Sequence, residues 1–530
     1  MSDYTRYLAG RATSGGMSRR EFMGRAMAAG LTLAAADALF TSTASAAETP
    51  KRGGHLKLGL EGGAATDSKD PAKNLSQVTF VASRCWGDML VESDPFTSAP
   101  VPSLAESWEP SKDASTWTFK IRKGVKFHNG KELTVDDVVA TLKRHTDPKA
   151  QSGALGVLKS IKEIKADGGN LVVTLTEGNA DMPLLLSAYH LVIQPNGGVD
   201  DPEAGIGTGP YKMTSWQPGV RATFERNKDD WRSDRGFVDS VEIIVMNDAT
   251  ARMAALSSGQ VQYINRVDPK TVGMLKKAPN VDILSTAGKG HYVFIMHCDK
   301  APFDNNDLRL ALKYAMDREE MVKKILGGYG KVGNDFPINA TYPLFSDDIE
   351  QRAYDPDKAK FHYKKSGHDG SVLLRTSEVA FPGAVDAAVL YQQSAKKAGI
   401  DIEVKREPGD GYWTNVWNVQ PFSTSYWGGR PTQDQMYSTA YLSTADWNDT
   451  RFKRPDFDKL LLQARSELDE KKRKDLYRQM AMMVRDEGGV ILPMFNDFVN
   501  ASSKKVKGYV HDVGNDMSNG YVATRVWLES

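Results

Sequence analysis

The sequence predicts a mixed α/β protein built of two or more domains. Two observations carry this expectation. The chain has 530 residues, beyond the size at which one hydrophobic core stops growing. Period-two and period-3.6 apolar patterns also alternate along its whole length, as they do where strands and helices pack in layers. The composition is that of a globular protein, 40% hydrophobic and 25% charged. A formal net charge of +1 at pH 7 gives no basic footprint for nucleic acid, so no nucleic-acid partner is expected.

Residues 1–47 read as an export address. Ser18-Arg19-Arg20-Glu21-Phe22-Met23 sets paired arginines ahead of an aromatic residue, and an Ala-rich apolar stretch follows over 26–40. Ala44-Ser45-Ala46 then offers the small residues that signal peptidase accepts. The whole resembles a twin-arginine signal cleaved after Ala46 or Ala47. A membrane anchor would need about 20 apolar residues, and Asp37 interrupts the stretch. No cysteine lies near the cleavage site for lipidation. The twin-arginine route carries folded cargo, some of it loaded with a metal or redox group, without requiring one.

The mature chain opens on a strand, with Leu56, Leu58 and Leu60 alternating. Residues 79–92 read as a helix. Trp117, Phe119 and Ile121 alternate in a second strand that ends at the Gly124 turn, and Asn129-Gly130 marks a further turn. Thr134 and Asp137 stand at capping-box spacing before Val138, Val139 and Leu142, so a helix starts there. Strands follow over 171–176 and 241–245. Residues 308–326 read as one helix. Pro455 starts a helix carrying Leu460, Leu461, Ala464 and Leu468, and a last one over 470–485 sets Leu476, Met480, Met483 and Val484 on one side.

Enzyme signatures are missing: no His-Glu-x-x-His, no Gly-x-Ser-x-Gly and no phosphate loop. Gly328-Tyr329-Gly330-Lys331-Val332-Gly333 fits the dinucleotide glycine pattern, but a helix precedes it where a strand is required. It reads as a helix cap and a glycine-rich loop. His291, His297, Cys298 and Asp299 match no zinc spacing. On one strand the two histidines would stand about 20 Å apart, too far to share a metal. Cys85 and Cys298 leave two alternatives open, a disulfide or two buried thiols.

The most specific signal is a series of long segments. Leu104-Ala105-Glu106-Ser107-Trp108 runs through Thr116-Trp117-Thr118-Phe119 to Ile121-Arg122-Lys123-Gly124-Val125-Lys126-Phe127-His128-Asn129-Gly130 and Leu133-Thr134-Val135-Asp136-Asp137-Val138. Gly207-Thr208-Gly209-Pro210-Tyr211, Phe224-Glu225-Arg226-Asn227, Pro302-Phe303-Asp304, Ala315-Met316-Asp317-Arg318, Tyr354-Asp355-Pro356 and Phe457-Asp458-Lys459-Leu460-Leu461 follow in order. Over about residues 53–510 the chain resembles the bacterial extracellular solute-binding proteins of family 5, the periplasmic oligopeptide-, dipeptide- and nickel-binding proteins of ABC transporters. The resemblance implies a two-lobed periplasmic-binding-protein fold, class II, of the large three-domain subtype. Lobe one is expected at 48–92, 198–288 and 496–530, an inserted domain at 93–197 and lobe two at 289–495. It implies a periplasmic monomer that is not an enzyme and carries no cofactor. Its partners would be a small-molecule or peptide-like ligand, buried between closing lobes, and an inner-membrane ABC permease.

A cleft that closes on a polar solute needs aromatic walls and a few fixed polar anchors. The densest aromatic region holds Tyr412, Trp413, Trp417, Tyr426, Trp427 and Trp447; these rings could equally pack a core. In Tyr426-Trp427-Gly428-Gly429-Arg430-Pro431-Thr432 the resemblance is informative by its departure. Peptide-binding members place an Asp three residues after the Trp, where it pairs with the ligand's α-amino group. Here that position is Arg430. A guanidinium repels an ammonium and suits a carboxylate or phosphate, bound through two N–H groups. The candidate ligand residues are therefore Trp413, Tyr426, Trp427, Arg430, Trp447 and, by resemblance to the family's cleft-lining loop, Asn448. An opine, a sugar acid or another amino-acid conjugate fits this reading, as does a peptide in another orientation. Arg430 paired to Asp434 is the alternative without ligand contact. A metal or metal-chelate receptor of the same fold is the rival function, and an exported enzyme the less favoured one.

Overall fold

A computed structural model describes residues 7, 8, 11, 22–24, 26, 36 and 50–529, apart from 75, 410 and 411. The paired arginines Arg19 and Arg20 and the Ala44-Ser45-Ala46 site lie outside the described residues. Among those described, no helix is long and apolar enough to cross a membrane.

The chain is mixed α/β, as expected. One eleven-stranded sheet runs through the described residues. Its central pair is Val281–Met296 and Val490–Ser503, antiparallel and paired nearly end to end. On one side the sheet continues through Tyr263–Ile264, His55–Leu60, Ser240–Val245, Arg221–Arg226 and Tyr211–Gln217. On the other it continues through Phe422–Trp427, Val372–Thr376 and Ile402–Arg406. The register of the central pair breaks between Ala287 and His291. A separate four-stranded sheet orders Ala105–Pro110, Thr116–Ile121, Asn170–Leu175 and Ile161–Asp167, all antiparallel.

The cores follow from the strand patterns. Val293 and Ile295 face one apolar cluster while Phe294 and Met296 face another. The strand is covered on both faces and reads as a continuous apolar run. His55–Leu60 feeds a third cluster through Leu56, Leu58 and Leu60, which also takes Trp117, Phe119 and Ile121. Thr134 and Asp137 form the reciprocal capping box of the helix Val135–Thr146.

Three local expectations are corrected. The helix expected at 79–92 spans Gln77–Trp86. At Gly87 the chain passes so close to its neighbour that a Cβ would lie 2.1 Å from Val192 Cγ1, and Val91–Ser93 beyond it is a strand. The single helix expected at 308–326 is two, Asn306–Tyr314 and Arg318–Ile325, because the Asp317 side chain accepts from the Glu320 N–H and starts a second helix. The glycine-rich segment is no loop: Gly330–Val332 pairs with Met494, Phe495 and Asn496.

Candidate ligand-binding site

The site is built on the end of Phe422–Trp427, which pairs antiparallel with the central strand so that Tyr426 faces Tyr292 and Trp427 faces His291. The chain then turns away through Gly428-Gly429-Arg430-Pro431. Gly429 lies directly on Lys289, where a Cβ would meet Lys289 Cβ at 2.1 Å, so only glycine lets the loop sit there. Thr432 closes the loop by capping the helix Gln433–Ala440, its side chain accepting from Gln435 N–H.

The rings named from the sequence come together. Trp413 packs edge-on against Tyr426 at 5.7 Å and Trp417 at 6.0 Å. Trp447 joins Trp417 at 6.1 Å and Trp427 at 6.0 Å. Their exposure divides them. Tyr426 and Trp447 are 52% and 51% exposed and Trp413 is 39% exposed, against 6% for Trp427. Three large aromatic faces thus stay in contact with solvent on a support of buried rings. Tyr412 belongs to the support: it is fully buried, its hydroxyl donating to the Thr424 carbonyl at 2.8 Å.

Asp449, which the sequence reading passed over, fixes the support. Its Oδ2 accepts from the indole N–H of Trp417 at 3.0 Å and of Trp427 at 3.2 Å. Burial drives its carboxyl up to about 7, against the pull of the two indole donors. The signal for it was present, an acid two residues from a tryptophan in an aromatic region. Asn448 beside it is buried. Its amide donates to the carbonyls of Tyr441, Leu442 and Phe452, and its oxygen accepts from Phe452 N–H and the Thr450 hydroxyl. All its polar capacity goes into the loop.

Arg430 is half-buried, its guanidinium 5.7 Å from the Trp427 ring centre. Nη1 donates to the carbonyls of Gly428 at 2.8 Å and Gly429 at 3.3 Å. The Nε–Nη2 edge has no acceptor among the described residues, and no carboxylate reaches the group. Asp434, the acid the sequence offered as its partner, is taken by Arg465 at 3.0 Å. The backbone N–H of Arg430 donates to the Tyr342 hydroxyl at 3.0 Å.

His291 sits under this corner, fully buried, with Nδ1 3.0 Å from the Lys289 carbonyl. Burial lowers it to about 4, so it is neutral. His297 is buried just past the strand end. Among the described residues no group of three or more His, Cys, Asp or Glu is placed to hold a metal ion. Cys85 and Cys298 are free thiols, so of the two alternatives the disulfide is the one not formed.

The aromatic shelf and the unmatched guanidinium of Arg430 lie beside the long paired strands of the central sheet. The family model of the bacterial extracellular solute-binding proteins, family 5, matches residues 99–449, and the chain belongs to that family, whose members serve ABC transporters. It is 26% identical to the dipeptide-binding protein of Escherichia coli over 80% of this chain and 86% of that protein. It is 27% identical to heme-binding protein A of Haemophilus influenzae over 77% and 81%. The solved structure of HbpA2 from Haemophilus parasuis superposes with a TM-score of 0.79 at 22% identity, covering 90% of this chain and 100% of that one. That of AgaA from A. tumefaciens R10, in complex with agropinic acid, gives 0.70 at 23% identity over 90% and 99%. The fold is that of the two-lobed periplasmic binding proteins.

Proposed function

We propose that this protein is the substrate-binding receptor of an ABC importer and captures its solute by an anionic group. The observation that carries the reading is Arg430, whose Nε–Nη2 edge lies open beside an aromatic shelf with no protein acid to occupy it. A carboxylate or phosphate would take two parallel N–H bonds there, and Trp413, Tyr426 and Trp447 would cover the apolar part of the solute. Trp427 and Asn448 shape this surface from below. Relatives are named for dipeptides and for heme, so the family frame leaves the solute open, and the charge of the anchor narrows it. A peptide-like molecule held by its carboxylate fits, as do an opine, a sugar acid or another amino-acid conjugate. A free ammonium at this position does not.

In this reading the lobes are 48–92, 198–288 and 496–530 against 289–495, with 93–197 inserted. The chain crosses between them where the register of the central pair breaks, near Ala287 and His291. The solute shifts an open–closed equilibrium by its better contacts with the closed form, and the closed form docks on the permease. Export by the twin-arginine route belongs to the same proposal.

Calorimetry tests it. Arg430→Ala should weaken binding of the retained native solute by at least about tenfold, since a hydrogen-bonded charge contributes about 1.5–3 kcal/mol. An affinity equal to that of the unmodified protein sinks the idea.

A further inference from the structure

A second cation, Lys289, stands behind Arg430. Lys289 lies in the irregular stretch of the central strand, between Gly288 and Gly290, where the register against Val490–Ser503 breaks. The two glycines let this stretch press on its partner: a Cβ at 288 would lie 2.7 Å from the Asn496 carbonyl, and one at 290 2.8 Å from Asn496 Oδ1. Such a break re-aims the side chain it carries. Here the ammonium is delivered under the Arg430 loop, 4.8 Å from the Tyr342 ring centre.

The surroundings of that ammonium do not balance it. Lys289 is 4% exposed. Nζ donates to the Ser98 hydroxyl at 3.2 Å and the Pro431 carbonyl at 3.4 Å, both neutral, and its third N–H has no acceptor among the described residues. Asp512 attracts it without forming an ion pair among the described residues, and the Asp512 carboxylate is itself paired with Arg525 at 2.7 Å. Burial lowers the ammonium to about 8, which leaves it mainly charged at neutral pH. A buried ammonium with no carboxylate in contact is costly, and a methionine would fill the same volume without that cost. Lys289 and Arg430 share Tyr342 and the Gly428–Pro431 turn, so the two unmatched cations belong to one corner.

We infer that Lys289 is a second anion anchor and that the solute carries two anionic groups, one for Arg430 and one for Lys289. The inference rests on the receptor reading above and sharpens it to a class, the dianionic conjugates.

Matched acyl-alanines separate the charges. N-succinylalanine and N-glutarylalanine carry two carboxylates, and N-butyrylalanine and N-valerylalanine are their counterparts with a methyl in place of the second. In calorimetry on the purified protein, at least one dicarboxylate should bind about tenfold or more tighter than its counterpart, the scale of one charge-assisted contact. Lys289→Met should bring that pair within about twofold, while Lys289→Arg keeps the preference. Equal thermal midpoints of the two variants would show that folding is not what changed. A dicarboxylate bound no tighter than its counterpart, including binding of neither, overturns the inference. Preference retained in Lys289→Met but lost in Arg430→Met overturns it too, and leaves the Arg430 reading standing. No effect of either substitution overturns both.

Discussion

Asp449 shows how one side chain ties folding to the site. It is buried, it holds two indoles, and its carboxyl is raised to about 7. In the unfolded chain it titrates near 4. Between about pH 4 and 7 the folded protein therefore binds a proton that the unfolded chain does not. Stability from this group is complete below the unfolded value and falls as pH rises through the folded one. Asn at this position keeps an oxygen for the indoles and does not titrate. Relative to the unmodified protein, Asp449→Asn should gain on the order of 2 kcal/mol between pH 4.5 and 7.5, read by urea unfolding at the two pH values. A difference that does not change with pH would contradict the assignment. Arg430 was legible in the sequence because its charge departs from a family pattern. Lys289 was not, since nothing in Gly288-Lys289-Gly290 tells a solvated lysine from a buried one. Asn448 was named as a ligand residue by resemblance, and its amide is consumed by its own loop.

Among the elements, residues 177–181 make a contact that would bear on closure in the proposed division. Ala180 N–H donates to the Arg465 carbonyl at 2.7 Å, and Asp181 pairs with Arg473 at 2.8 Å, both groups largely buried. The partners lie in the helices Pro455–Ser466 and Glu470–Glu487. In the proposed division this is the insert resting on lobe two, well outside the aromatic corner in the chain. Opening the lobes would return Asp181 to water, so removing its partner penalises the closed form alone, by about 1–3 kcal/mol. Arg473→Met should weaken solute binding about tenfold while every residue of the aromatic site is intact, and small-angle scattering should show the solute-laden variant more open. Affinity equal to the unmodified protein would mean that this contact persists in both forms. Short alternating strands and well-capped helices were readable because their patterns are local: Leu56, Leu58 and Leu60 announce His55–Leu60, and Thr134 and Asp137 announce Val135–Thr146. The break after Tyr314 and the strand at Gly330–Val332 were not. The first depends on one aspartate winning a cap inside an apolar-periodic run, and the second on a partner more than 150 residues away in sequence.

At the scale of the molecule, one sheet carries both proposed lobes, and the only long elements spanning them among the described residues are Val281–Met296 and Val490–Ser503. Their register breaks beside Lys289, so in the proposed reading a charge bound at that corner would act where the lobes turn. The general fold was legible early, because segments spread over the chain match a family. The solute was not, because the side chains proposed to select it come together from residues 289, 342 and 430, far apart in the chain. If the protein holds an anionic solute through Arg430, that solute should be found in the protein as purified. Native mass spectrometry of freshly purified protein, followed by unfolding and analysis of what is released, addresses it most directly. The expected result is a compound bearing at least one carboxylate or phosphate, retained by the unmodified protein and lost from Arg430→Ala. A neutral or purely cationic compound, or one kept equally by Arg430→Ala, would contradict it.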